Sequence, residues 1–218
     1  DKRVVIADGH HRYEVALKYR NSMRQRKGYN GNADYVMMYF TNLREADNVT
    51  ILSTHRLLKD IGHFNKWILE KRLEPFFDIT PFNTSSKMLN ALAKDKKRPR
   101  FGIYLGRGRY LLVSLKRNIS IPKIIDGDGS SQWKRLDVTI LHNFVIKNLL
   151  CLKDFEDNVK YVRDPRHVIE LVDSGGYKIA FFLNPTKAHQ VREVAERGEM
   201  MPQKSTYFYP KLLAGFVI

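Results

Sequence analysis

The segment Asp8-Gly9-His10-His11-Arg12 gathers one carboxylate, two imidazoles and a guanidinium around a single glycine. The β-branched run Val4-Val5-Ile6 before it predicts a short buried strand. Asp8-Gly9 is turn chemistry. From His11 the spacing of Tyr13, Ala16, Leu17 and Arg20 becomes helical, with Asp8 read as the N-cap. The first turn of a helix exposes N–H groups carrying about half a positive charge, so it favours Asp and Glu. Two histidines and an arginine stand there instead, at roughly a few tenths of a kcal/mol per cation unless an anion is present. A strand, a glycine turn and a helix start crowned with donors make a phosphate site; the alternative is a solvated basic turn. In the phosphate reading Gly9 lets the anion approach the backbone, and the helix N–H groups with Arg12 hold it. Asp8 would orient a hydroxyl or a magnesium ion, and His10 or His11 would hydrogen-bond a phosphoryl oxygen or move a proton.

Two further segments hold candidates. Thr54-His55-Arg56 closes a predicted strand, a place where binding groups collect in α/β folds. If that strand neighbours the first, His55 and Arg56 approach His10 and His11; otherwise they are a surface pair. Near the end, Met201–Lys211 contains Lys204 and Ser205, two residues fit to line a pocket. This segment is no phosphate loop. Gln203 replaces the glycine before the lysine, Pro202 removes a donor, and the preceding element reads as helix rather than strand. Its aromatic triple Tyr207-Phe208-Tyr209 is expected to bury against the core. No metal is expected on Asp8, His10, His11 and His55, because adjacent histidines at a helix start rarely face one ion. His142, in an apolar run, reads as a half-buried residue with its hydrogen bonds met. Cys151 is the sole cysteine; it sits in Leu149-Leu150-Cys151-Leu152 and reads as a small buried hydrophobe, which excludes a disulfide framework and a cysteine zinc site. Asp126–Ser131 lacks calcium-loop spacing and is expected to be a flexible loop.

The elements that must position these groups alternate. A helix is predicted over His11–Arg26, then strands over Tyr35–Thr41 and Val49–Thr54 around a polar loop at Glu45–Asn48. A helix over Phe64–Phe77 is stopped by Pro75, and a strand over Phe77–Phe82 and a helix over Ser85–Lys94 follow. Phe101–Leu105 and Arg109–Leu115 flank Gly106-Arg107-Gly108, a hairpin signal. Val138–Leu150 reads as an apolar helix, Val159–Val162 as a strand, Pro165–Val172 as a helix, Tyr177–Leu183 as a strand and Thr186–Arg197 as a helix. This predicts an α+β fold, with mixed sheet layers and helices packed on them. The net charge of +15 over 218 residues points to anionic partners: nucleotides, nucleic acid or acidic proteins. The basic stretch 94–100 reads as a solvated loop, with a nucleic-acid patch as the sharper alternative. No stretch approaches the roughly 18 apolar residues of a membrane span, so no membrane partner is expected. With a single thiol and no secretory signal, the expected location is cytoplasmic.

Together with the helix that follows, Tyr13-Glu14-Val15-Ala16-Leu17, the box Ile6–Arg12 resembles the signature of the ParB/sulfiredoxin-like superfamily. ParB proteins carry a Gly-x-Arg-Arg version, matched here by Gly9 and Arg12, that binds a nucleoside triphosphate. Sulfiredoxins place a catalytic cysteine where this chain has His10, so sulfinic-acid repair is not implied. Free-serine kinases carry the form most similar to Asp8–Arg12. With Pro202–Lys211 added, the pattern resembles a bacterial family labelled SpoOJ/ParA/ParB/RepB-like, of which this sequence would be roughly the C-terminal half. The resemblance implies a nucleotide-binding element over residues 1–60 that continues upstream, and a family-specific α+β region over 61–218 packed with it. It implies a nucleotide-dependent phosphotransferase acting on a small hydroxyl-bearing metabolite such as serine, with Mg2+ and ATP, ADP or CTP. Read with the residues above, Asp8, His10 and His11 would be catalytic, and Gly9, Arg12, His55, Arg56, Lys204 and Ser205 would hold the nucleotide. Enzymatic activity stays open, since those kinases take a catalytic Glu from a segment before the box. The competing class is a non-enzymatic chromosome-partition or nucleic-acid-binding protein. Against it, two strands and a hairpin follow the box here, where ParB proteins have a helix-turn-helix.

Overall fold

Leu111-Leu112-Val113 and Ile179-Ala180-Phe181-Phe182 are apolar at every position rather than at alternate ones, which is what a strand covered on both faces requires. A computed structural model, describing residues 4–42, 50–62, 66–94, 98–152 and 156–211, places both in the middle of an antiparallel sheet. The loop at Glu45–Asn48, His63 and the middle of the basic stretch 94–100 lie outside the described residues. The chain forms two compact units, Asp1–Thr50 with Phe208–Ile218, and Ile51–Tyr207.

In the first unit the main element is α1 (His10–Arg24). It buries none of its residues. A single turn at Asn32–Asp34 is tied to its end by two bonds from the Arg24 guanidinium to the Asp34 carboxylate, at 2.9 and 2.8 Å. The two strands expected here do not form: Val4–Ile6 and Tyr35–Thr41 are not strands, and Val4 and Tyr35 stand 67% and 87% exposed. β-propensity expresses a fit to a half-buried sheet, and neither run is paired into one among the described residues.

The chain then runs through β1 (Thr50–Ile51), shorter than the Val49–Thr54 expected, and on into the second unit. There follow β2 (His55–Leu58), α2 (Lys66–Leu73), β3 (Phe77–Phe82), α3 (Ser85–Lys94), β4 (Arg100–Tyr104) and β5 (Tyr110–Leu115). After the short helices α4 (Ile121–Ile124), α5 (Ser131–Lys134) and α6 (Asp137–Thr139), a π-helix runs over Ile140–Leu149. The unit continues with β6 (Val159–Val162), α7 (Pro165–Asp173), β7 (Ile179–Phe182) and α8 (Ala188–Ala195); β8 (Phe208–Tyr209) pairs with β1. The six-stranded sheet has the order β3-β5-β4-β7-β2-β6, every pair antiparallel. Pro81 sits in β3, at a sheet edge where a missing donor does no harm. The α+β class is therefore the one observed.

Helices cover both faces of this sheet. Leu57, Tyr104, Leu112 and Phe182 pack with Met88 and Leu92 of α3 and Val168 and Val172 of α7. Leu58, Ile103, Leu111 and Phe181 pack with Leu69 and Leu73 of α2, with Leu141 and Val145 of the π-helix, and with Val194 of α8. The expected α-helix over Val138–Leu150 is α-helical for one turn only. Beyond it the bonds reach one residue further back, as from Leu150 N–H to the Val145 carbonyl at 2.8 Å. Cys151, just past that helix, is exposed rather than buried, on a left-handed backbone turn (φ 56°) that lifts it out of the apolar run. The loop at Asp126–Ser131 is anchored at its end, where Ser130 caps α5 and donates from its N–H to Glu199 at 2.6 Å.

Gly102 of β4 is where α3 comes closest to the sheet. A Cβ there would fall well inside contact distance of Met88 Sδ, 2.8 Å from its Cε and 3.2 Å from Phe182 Cβ. Met88 is fully buried and has no open space to swing into. Gly102→Ala should therefore cost about 1–3 kcal/mol of stability by overpacking. Adding Met88→Ala should remove part of that cost, so that urea denaturation of the two single variants and the double variant gives non-additive losses. Additive losses would show that the close approach is not at Met88.

Candidate functional site

The candidate residues fall in two groups, one in each unit. In the first, Gly9 precedes α1 with φ 85°, a conformation that L side chains rarely adopt. Gly9, not Asp8, is the N-cap residue, and no side chain caps the helix. The Arg12 guanidinium folds back against Gly9: a Cβ there would stand 3.1 Å from Nη2 and 3.3 Å from Nε. Glycine is thus required twice, by the backbone turn and by the arginine lying on it. No acidic residue occupies the first turn. Asp8 instead meets Lys211 Nζ at 2.5 Å. Burial pushes its carboxyl up, but the Lys211 hydrogen bond and charge, the Gly9 N–H and the Arg12 charge outweigh that and hold it below the usual value. His11 lies exposed, 3.6 Å from Glu14. The arrangement is one ionised carboxylate among cations, at a helix start with unclaimed donors.

In the second group, Arg56 is 1% exposed on β2, one strand in from the sheet edge. Its Nε donates to His142 Nε2 at 3.2 Å, Nη1 to the Thr54 carbonyl, and Nη2 to the Lys204 carbonyl at 2.8 Å. Tyr161 lies under it, 5.5 Å from ring centre to guanidinium carbon. Burial lowers its pKa to about 10, so it stays charged at neutral pH. His142 is buried on the π-helix, and its partner is this arginine. Burial, with the Arg56 charge, lowers its pKa to about 3 and keeps it a neutral acceptor. Lys204 therefore joins the site through its carbonyl, turned inward by a left-handed backbone (φ 53°), while its side chain is exposed. Ser205 is buried, and its hydroxyl has no hydrogen-bond partner.

His55 and Arg56 occupy one strand, where successive side chains face opposite ways. Arg56 reaches the π-helix, whereas the His55 ring lies against Phe182 at 4.9 Å. Its Nδ1 accepts from Leu183 N–H at 3.3 Å and its Nε2 has no partner. Burial, then the Arg56 charge, lowers its pKa to about 4. The structure thus brings Arg56, Lys204 and Ser205 together and turns His55 away from them.

A pocket of about 20 Å³ opens beside Arg56 and Ser205, lined also by Thr54, Thr186, Asn184 and Asp137. Asp137 carried no signal in the sequence beyond that of an acid at a helix start. It accepts from Arg100 N–H at 3.2 Å, yet burial pushes its carboxyl up to about 7. Among the described residues no three His, Cys, Asp or Glu side chains cluster as a metal cage.

Residues 1–139 match the family described as a protein of unknown function, DUF1015. The chain belongs to that family. No curated protein matches the sequence. Among solved structures, a conserved hypothetical protein from Pyrococcus furiosus is similar over 93% of this DUF1015 chain and 68% of its own, at 15% identity and a TM-score of 0.45. A free serine kinase variant, in complex with AMP and in complex with ADP, is similar over 93% of this chain and 66% of its own, at 16% identity and a TM-score of 0.46. The chain spans about two thirds of the length of these structures. No described helix is long and apolar enough to cross a membrane.

Two buried histidines and the half-buried Asp137 give the second unit a pH signature. His55 and His142 are depressed, so their contribution is complete above the unfolded value of about 6.5 and is lost as pH falls towards 4. Asp137 is raised, so its contribution is complete below about 3.9 and is lost as pH rises through 7. Between pH 6.5 and 4 the unfolded chain binds two protons that the native histidines refuse, while native Asp137 keeps one that the unfolded chain has released. These groups should lower stability by about 1.4 kcal/mol per pH unit of acidification, and Asp137→Asn should steepen the fall to about 2.7. Urea titrations at pH 6.5, 5.5 and 4.5 measure both slopes; equal slopes would rule out a protonated native Asp137.

Proposed function

We propose that this protein binds the phosphates of a nucleotide at the Gly9–Arg12 helix start and passes a phosphoryl group to a small hydroxyl-bearing metabolite such as serine. On its Asp8–Arg12 box we place this element in the ParB/sulfiredoxin-like group. The observation that carries the reading is the Arg12 guanidinium lying on left-handed Gly9, at the uncapped start of a 15-residue helix. Helix N–H groups and a guanidinium converging on one turn suit a phosphate. Phosphoryl transfer asks a protein mainly for positioning and charge stabilisation. Arg12 and the helix donors supply the charge. Asp8, kept ionised beside Lys211, orients the acceptor hydroxyl. His10 and His11 supply hydrogen bonds to phosphoryl oxygens or a route for the proton. A magnesium ion arriving with a nucleotide needs one or two protein carboxylates, so Asp8 fits it and would neutralise phosphate charge through it.

A second reading, nucleic-acid binding without catalysis, is favoured by the net charge of +15. Such binding would weaken steeply with salt and ignore nucleotide.

Arg12→Ala should weaken binding of ATP, ADP or CTP with magnesium by about 1.5–3 kcal/mol, roughly 10- to 150-fold, by calorimetry. Asp8→Asn should leave that affinity nearly intact and abolish phosphoryl transfer in a turnover assay on the full-length protein. Unchanged nucleotide affinity in Arg12→Ala refutes the phosphate role. Full turnover in Asp8→Asn removes the kinase reading, and salt-sensitive DNA binding without nucleotide binding favours the second one.

A further inference from the structure

We infer that the pocket beside Arg56 is a subsite for one compact oxyanion, a single phosphoryl or carboxylate group held by the Arg56 guanidinium and the Ser205 hydroxyl. This does not rest on the helix-start reading. Arg56 is almost wholly buried, and every acceptor that meets it is neutral: an imidazole nitrogen and two carbonyls. Three of its five N–H donors are used. A buried cation without a counter-charge is costly, and neutral acceptors offset only part of that cost. Ser205 supplies the second, independent observation. It is 7% exposed, it lines the same pocket, and its hydroxyl is unpartnered although buried, which leaves the desolvation cost uncompensated. One anion accepting from both groups would correct both defects.

Size narrows the ligand. About 20 Å³ holds one water-sized group, so one oxygen of the anion enters beside Arg56 and Ser205, the rest stays at the mouth, and a nucleobase or ribose is excluded. Thr54, Thr186, Asn184 and Gln190 line it with neutral polar groups. Asp137 is the acid in the lining; with its carboxyl raised to about 7, it can offer an O–H to an anion as well as repel one.

The test is titration of inorganic phosphate and, separately, of acetate into the protein at constant ionic strength, followed by calorimetry and thermal melting. Wild type, Ser205→Ala, Arg56→Gln, Arg12→Ala and the Arg12→Ala, Ser205→Ala double variant are compared. The inference expects a saturable anion site that persists in Arg12→Ala, where the helix start is disabled, and is weakened tenfold or more when Ser205→Ala is added. Which anion binds separates a phosphoryl from a carboxylate source. If Arg56→Gln fails to fold, Ser205→Ala still decides: with no bond to lose, it should melt at or above wild type in anion-free buffer and lose the anion-induced rise. Absence of saturable binding of either anion by wild type overturns the inference. So does a site in Arg12→Ala that added Ser205→Ala leaves untouched, or the loss of all saturable binding in Arg12→Ala.

Discussion

The guanidinium of Arg56 is the constraint on which the second unit depends. One side chain on β2 bonds to the π-helix 86 residues later and to the tail 148 residues later, and to its own strand's approach at Thr54. Each of those bonds offsets part of the cost of burying a cation, and none supplies a negative charge. The surrounding structure is shaped by that requirement. His142 must be neutral to accept from Nε, and burial beside the cation keeps it so. The Lys204 carbonyl must turn inward, and the backbone there takes a left-handed conformation uncommon for a lysine.

The π-helix meets the same demand. Six of its ten residues are buried: Ile140, Leu141, His142, Phe144, Val145 and Ile146. A helix packed on a sheet through so broad a face must also deliver one imidazole nitrogen to the arginine. Wider turns place consecutive residues Ile140, Leu141 and His142 all against the interior. Such windings are rare, and they recur where a side chain is re-aimed for function. Here the re-aimed side chain meets Arg56.

What could be read from the sequence was local. The hairpin around Gly106–Gly108, the helix over Ser85–Lys94 and the strand over Phe77–Phe82 each carry their own turn chemistry or periodicity, and each appears where expected. Val4–Ile6 and Tyr35–Thr41 carry equally strong strand composition and form no strand, because a strand is a pairing and its partner is not written in the run itself. The site divides the same way. Gly9 and Arg12 announce themselves by spacing. The roles of His142 and Asp137 depend on neighbours far along the chain, so His142 reads as a half-buried residue with its hydrogen bonds met and Asp137 is not singled out. His55 and Arg56 look like a pair when written side by side, yet a two-residue strand period sends them to different layers.

The net charge of +15 and the two cation sites act on anions by different physics. Exposed charges act at long range and are screened within about 10 Å at ordinary salt, so they draw anions toward the surface without choosing among them. Arg12 and Lys211 belong to that exposed class, and any selectivity at the helix start must come from the directed N–H groups of α1. Arg56 belongs to the other class. It is almost wholly buried, its acceptors are fixed by a sheet, a helix and a turn, and the space left beside it is the size of a single polar group. A field that would gather anions and a desolvated guanidinium that would sort them are separate devices.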